Sequence, residues 1–152
     1  MMKRNWLKRG DGKERKVKPS KAALALLVKV RDQIAGKPGS WGAGMGNRSF
    51  SKGFDERHCV LGWMAVLSGH SAHTYPNEII KSGGTLRNQY PLAAALLAET
   101  LNGNGINVVQ GMVRDMVVWE HNDADGMSVA TIVGDLNRTI RYAEYALAEG
   151  TA

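Results

Sequence analysis

The chain of 152 residues has one cysteine, two phenylalanines and four histidines. A single thiol excludes an internal disulfide framework, and a reducing, cytoplasmic setting is the simplest expectation. No apolar run approaches the roughly 20 residues that span a bilayer, so no membrane partner is expected. The opening "MMKRNWLKRGDGKERKVKPSK" is charged and lacks the apolar stretch of a secretory signal. Metal-ligating spacing is also missing. His58 and Cys59 are adjacent, so on a helix their side chains diverge by about 100°, and His70, His73 and His121 follow no short regular interval. Neither a metal nor a cofactor is expected.

What the chain does have is a lopsided charge. Residues 3–21 hold nine Lys/Arg against Asp11 and Glu14, a balance of +7, while residues 22–152 balance to −1 and the whole to +6. Residues 1–19 therefore read as a basic arm that carries too little apolar surface to offset its ordering entropy, and mobility is expected of it. Lys3, Arg4, Lys8, Arg9, Lys13, Arg15, Lys16 and Lys18 suit a polyanion, because each neutralised phosphate releases counterions. The plainer alternative is a solubilising tail. Trp6 and Leu7 could anchor the arm to its own body or to a second subunit.

Residues 20–152 read as one helical domain. Ser20 is a good N-cap for a helix whose Leu24, Leu27, Val28 and Ile34 recur at helical spacing and which closes at Gly36. Residues 36–54 contain six glycines and no periodicity, a long loop. Asp55 caps a second expected helix, "ERHCVLGWMAVLS", ended by Gly69. A second irregular stretch over 69–90 contains one short helical turn, "NEIIK". Pro91 opens a third helix, residues 106–120 a fourth, and Ser128 caps a fifth that runs to the end. For the fourth, the expected apolar stripe is Val109, Met112, Val113, Met116 and Val117, with Glu120 on the same steps. The expectation is an all-α fold, a compact bundle of about five helices with two long irregular loops and a basic N-terminal arm.

The stretch "WEHNDADGMS", residues 119–128, concentrates polar chemistry. As a calcium loop with Gly126 at its sixth position it would begin on His121 and end on Ile132, so the first ligand is wrong and the bidentate acid is missing. The structural account is stronger. Asp125-Gly126 is a turn pair, Asn122 and Asp123 bond nearby backbone, Ser128 opens the next helix, and Trp119 covers the joint.

Three segments, "GKPGSWGAG", "RHCVLGWMAV" and "VVWEHNDADGMSVATIVGDLNRTIRYA", together resemble a family of small uncharacterised bacterial and phage proteins, a domain of unknown function. Its members carry an early Gly-Trp, then Cys-x-Leu-Gly-Ala, then Trp-Asn-Asp-x-x-Gly-Arg-Thr. Trp41 corresponds to the first, Cys59, Leu61 and Gly62 to the second with Trp63 in place of alanine, and Asn122, Asp123, Gly126 and Ser128 to the third with Met127 in place of arginine. The likeness covers about residues 22–146. It implies a helical fold and brings no activity with it, and the lost arginine weakens any anion site at Met127.

Two sets of residues carry candidate chemistry. Cys59 could act as a nucleophile if a helix N-terminus or a histidine such as His70 lowered its pKa, although a lone cysteine on an apolar helix is more often a small buried hydrophobe. "GAGMGN" lacks both the preceding strand and the terminal Gly-Lys-Ser/Thr of a nucleotide loop. Arg48, Lys52 and Arg57 follow it, interleaved with Trp41, Phe50 and Phe54, a composition that suits base stacking and phosphate pairing. The alternative is that the aromatics plug the core. Arg138 and Arg141 read as a solvated face, with Tyr142 and Tyr145 as a surface for another subunit. The leading expectation is a non-enzymatic, phage-encoded accessory protein. It would bind a nucleic acid or nucleotide-like anion near Trp41, Arg48, Lys52, Arg57, Trp119, Asn122 and Asp123. The alternatives are an assembly or host-directed inhibitor protein with a protein partner, and a Cys59-dependent hydrolase or transferase.

Overall fold

A computed structural model describes residues 5–42, 57–83, 88–101, 111–124 and 126–150, with the backbone alone at Asn5 and at 111–114. Among these residues there are six α-helices and no strand: α1 Lys21–Gly36, α2 Val60–Leu67, α3 Pro76–Lys81, α4 Gln89–Leu101, α5 Gly111–Asn122 and α6 Val129–Ala148. The fold is all-α.

The centre is α4. Its "YPLAAALLAET" is apolar on every side, and every residue from Tyr90 to Thr100 is buried. A helix without a polar face must be surrounded, and α1, α2, α3, α5 and α6 all contact it. The runs of alanine let these neighbours approach closely. Leu26, Leu27, Val30 and Ile34 of α1 and Ile132, Leu136 and Ile140 of α6 fill the same core, and α1 lies along α6. Each methylene buried there contributes about 0.8 kcal/mol.

The helix starts follow local chemistry. Ser20 accepts from the Ala23 N–H at 3.1 Å and Ser128 from the Thr131 N–H at 3.2 Å, satisfying donors that the first turn leaves open. Gly126 turns between α5 and α6 at φ +78°, a conformation costly for any residue with a Cβ.

Three expectations are corrected. First, α2 begins at Val60, not near residue 56. Arg57–Cys59 are extended because His58 donates to Ser40 O at 2.9 Å and accepts from Gly42 N at 3.2 Å, forming a single parallel bridge beside Trp41. Cys59 is therefore the N-cap, its sulfur accepting from Gly62 N at 3.4 Å. Asp55 lies outside the described residues, as do residues 106–110 of the expected fourth helix.

Second, α5 turns a partly different face inward among the described residues, with Val117 half-buried against the core. Asp115, Val118 and Asn122 are fully buried, while Met116 and Glu120 are exposed. The polar pair is inside because each caps another helix: the Asp115 carboxylate accepts from Asn77 N at 3.0 Å in the first turn of α3, and Asn122 holds the start of α2.

Third, residues 5–19 are not a free arm. A 3-10 turn at Asn5–Leu7 sets the Trp6 ring edge-on to Tyr145, with centroids 5.5 Å apart. Val17 and Pro19 are buried. Lys16 N and Val17 N donate to one oxygen of the Glu99 carboxylate at 2.6 and 3.0 Å, and Gly10 N donates to the Glu99 carbonyl at 2.8 Å. The ordering cost is offset by polar anchors that a hydrophobicity count does not register.

Candidate functional site

Asn122 gathers the residues that the sequence picked out. Its Oδ1 accepts from the Trp41 indole N–H at 2.7 Å and from Val60 N at 3.1 Å. Its Nδ2 donates to Gly42 O at 3.2 Å and to Asp123 Oδ1 at 2.9 Å. Every hydrogen-bonding position of the amide is used, and the residue is wholly buried. Nearby, the Trp63 indole donates to Ser40 O at 2.7 Å, and the His58 ring stands edge-on against Trp63. Trp119 packs on Tyr75, with centroids 5.2 Å apart. Trp41, Asn122 and Asp123 thus converge on one another, while Trp119, on the same helix as Asn122, packs on Tyr75 instead. The first three form a latch between the end of α5, the segment after α1 and the start of α2. The joint reading of residues 119–128 accounts for these contacts. Arg57 is exposed, and Arg48 and Lys52 lie outside the described residues.

Cys59 is buried, and burial pushes its thiol up to about 11. That is the reverse of nucleophile activation, which requires thiolate near neutrality. His70 is exposed, beyond the opposite end of α2, and lies against Tyr90. Eight helical residues, about 12 Å of rise, stand between the two. The pairing of Cys59 with His70 is corrected by this separation. A labelling experiment reads the thiol directly. In the native protein Cys59 should react with iodoacetamide far more slowly than free cysteine at pH 8, accelerating only as the pH nears 11 or on addition of denaturant. A native rate matching free cysteine would contradict this burial.

The basic segment divides into two sets. Two arginines turn inward. The Arg15 side chain is 1% exposed and lies 3.8 Å from Glu99. It donates to Trp6 O at 3.0 Å, Leu96 O at 3.2 Å and Thr100 Oγ1 at 2.6 Å, with its guanidinium 4.4 Å over the Tyr142 ring. Burial pulls its pKa down to about 10, still charged at neutrality. Burial likewise raises the Glu99 carboxyl, while two backbone N–H groups and Arg15 oppose the rise. Arg9 grips Asp11 through two bonds, at 3.2 and 2.6 Å, which hold that carboxyl below its usual range. The outward set is Lys8, Lys13, Lys16 and Lys18, all exposed. Lys3 and Arg4 lie outside the described residues.

Beside the docked segment is a hollow of about 370 Å³ between α1 and α6. Trp6 forms one wall. Arg31 of α1 and Arg138, Arg141 and Glu144 of α6 line the rest, over Ile140. Arg31 reaches across to α6, donating to Asn137 Oδ1 at 3.1 Å. Arg138 donates to the buried Asp135 at 2.5 Å, and Asp135 also meets His121 Nε2 at 2.7 Å. Sequence reasoning treated Arg138 and Arg141 as solvated and did not join them to Trp6. The one visible signal was their i, i+3 spacing, which puts both on one face; the contribution of Trp6 needed the docked segment. Among the described residues no cluster of His, Cys, Asp and Glu could hold a metal ion, and no helix is long and apolar enough to cross a membrane. Compared with protein families, with curated proteins and with solved structures, the chain finds no match in any of the three.

Proposed function

We propose that this is a non-enzymatic binding protein whose ligand is a nucleic acid, and that a phage accessory role, in keeping with the family resemblance, is its setting. The observation that carries the reading is the division of the basic segment. Arg15 is spent on holding it to Glu99 and Arg9 on pairing with Asp11 within the segment, and Lys8, Lys13, Lys16 and Lys18 are left displayed on a fixed surface. Cationic side chains held on the body lose less entropy on meeting a phosphate backbone than those of a free tail would. Three arginines line the hollow beside Trp6 of the same segment.

Binding of a fluorescent single-stranded oligonucleotide at increasing salt tests this. Each phosphate contact contributes about 0.7 to the slope of log K against log salt. Replacing the four lysines by glutamine should therefore lower that slope by up to about 3 and weaken binding steeply at low salt. An unchanged slope in the folded variant would remove the nucleic-acid reading.

A second reading, an assembly or inhibitor protein with a protein partner, draws on Met116 and Tyr145, which are 38% and 40% exposed. Co-purification with one specific protein and no nucleic acid would favour it. The Cys59-dependent enzyme finds no support in a thiol buried and held protonated.

A further inference from the structure

We propose that the hollow between α1, α6 and the docked segment is a subsite for one phosphorylated nucleoside, with the phosphate on Arg138 and Arg141 and the base on Trp6. The proposal rests on the nucleic-acid reading above and specifies which unit of the ligand is gripped.

The cationic side comes from three guanidiniums on two helices. Arg138 and Arg141 lie three residues apart on α6, so both face the hollow from one side. Arg31 is drawn over from α1 by its bond to Asn137. Against these stands one lining carboxylate, Glu144. The nearby acids already have partners: Asp135 holds Arg138, and Asp32 meets Arg31 at 3.1 Å. Arg141 is exposed and makes no ion pair among the described residues, and the Arg138 side chain remains 38% exposed after its pairing. Both keep donors for an oxyanion, and guanidinium forks suit the oxygens of a phosphate.

Polarity changes along the hollow. From Arg138 to Tyr145 α6 rises about 10 Å, and Tyr145 is where the Trp6 ring rests. The arginines thus occupy one end and an indole the other, with Glu144 one turn past Arg141. A carboxylate repels a phosphate but accepts from a ribose hydroxyl or an exocyclic amine. Anion, hydroxyl acceptor and aromatic surface in that order, over about 10 Å, match a nucleotide read from phosphate to base. The volume, about 370 Å³, is near the lower end of small-ligand pockets. It suits one nucleotide and is too small for a duplex.

Calorimetric titration of the whole chain with adenosine 5′-monophosphate, adenosine and inorganic phosphate tests the assignment. The monophosphate should bind at least about tenfold more tightly than either fragment, because stacking and ion pairing act together. Arg141→Gln should weaken the monophosphate about tenfold with unchanged thermal melting, since that side chain is exposed. Trp6→Leu should keep phosphate binding and lose the advantage of the monophosphate over it. Equal affinity for monophosphate and inorganic phosphate, or indifference to Arg141→Gln, overturns the proposal. Displacement of the bound monophosphate by an oligoadenylate with a 5′-phosphate, but not by its 5′-hydroxyl counterpart, identifies a strand end as the source. No displacement by either identifies the free nucleotide, and both results uphold the subsite. The four-lysine variant separates this proposal from the wider reading. It leaves the hollow intact, so monophosphate binding should persist even where oligonucleotide binding never appears.

Discussion

Replacing Asn122 by alanine should cost about 3–5 kcal/mol of stability, a large share of the roughly 5–15 kcal/mol available to a domain. The change removes a fully buried amide and strands three partners at once: the Trp41 indole N–H, the Val60 N–H and the Gly42 carbonyl. Each buried group left without a partner costs about 1–3 kcal/mol, and partial relaxation keeps the sum below the simple total. For a chain of this size each kcal/mol moves the melting temperature by about 3 °C, so a fall of about 10 °C is expected. Asn122→Asp should fall between the two. It keeps the acceptor for Trp41 and Val60, loses the donor to Gly42, and brings a second carboxylate beside Asp123. Denaturant titration followed by tryptophan fluorescence measures both variants. A loss under about 1 kcal/mol for the alanine variant would show that Asn122 does not hold the joint.

Glu99→Ala should have a comparable effect through a different route. It leaves Arg15 charged, 1% exposed and without its carboxylate, and takes the acceptor away from Lys16 N and Val17 N. Breaking a buried pair from one side costs about 3–5 kcal/mol. Here the chain has a way to limit that cost, which is to release the segment and hydrate Arg15. Trypsin should then cut the native variant after Arg15 and Lys16, sites the wild-type protein protects. Resistance equal to wild type would mean that Glu99 is not the anchor.

Glu99→Gln should behave differently, because it keeps an oxygen for the two N–H groups and drops the charge. The sign follows from the raised carboxyl. A group whose folded pKa lies above its unfolded one contributes most below the unfolded value, near 4.5, and loses that contribution as the pH rises through the folded value. Wild-type stability relative to Glu99→Gln should therefore decline from pH 4 towards neutrality. A rise over the same range would reverse the assigned direction.

Much of the architecture was legible because it rests on local rules. Ser20 and Ser128 cap the helices they were expected to cap, Gly126 turns with positive φ as a turn glycine should, and "NEIIK" forms a short helix. What escaped was decided by polar groups acting over long separations. The apolar stripe placed Met116 inward on α5, where it is exposed, and passed over Asp115 and Asn122, which are polar yet buried to cap other helices. A balance of +7 with few apolar residues indicated a free arm, yet Glu99 and Thr100, more than eighty positions away, receive it. The candidate site split in the same manner. Trp41, Asn122 and Asp123 meet in one joint while Trp119 packs on Tyr75, and polar density near a glycine does not distinguish a latch from a pocket. Arg138 and Arg141 looked like ordinary solvated bases because only the seating of Trp6 makes them, with Arg31, the lining of a hollow.

The distance in sequence between the leading segment and its anchors has a consequence for biosynthesis. Lys16 is made 83 positions before the glutamate that accepts its N–H, and Val17 125 positions before the tyrosine whose hydroxyl donates to its carbonyl. At about 5–20 residues per second, several seconds of translation separate them. Through that interval Arg15 is without its carboxylate, among the polyanions of the ribosome, while α1 through α3 are still without their central helix. Residues 5–19 thus wait for partners made long after them, and their seating depends on α4 and α6.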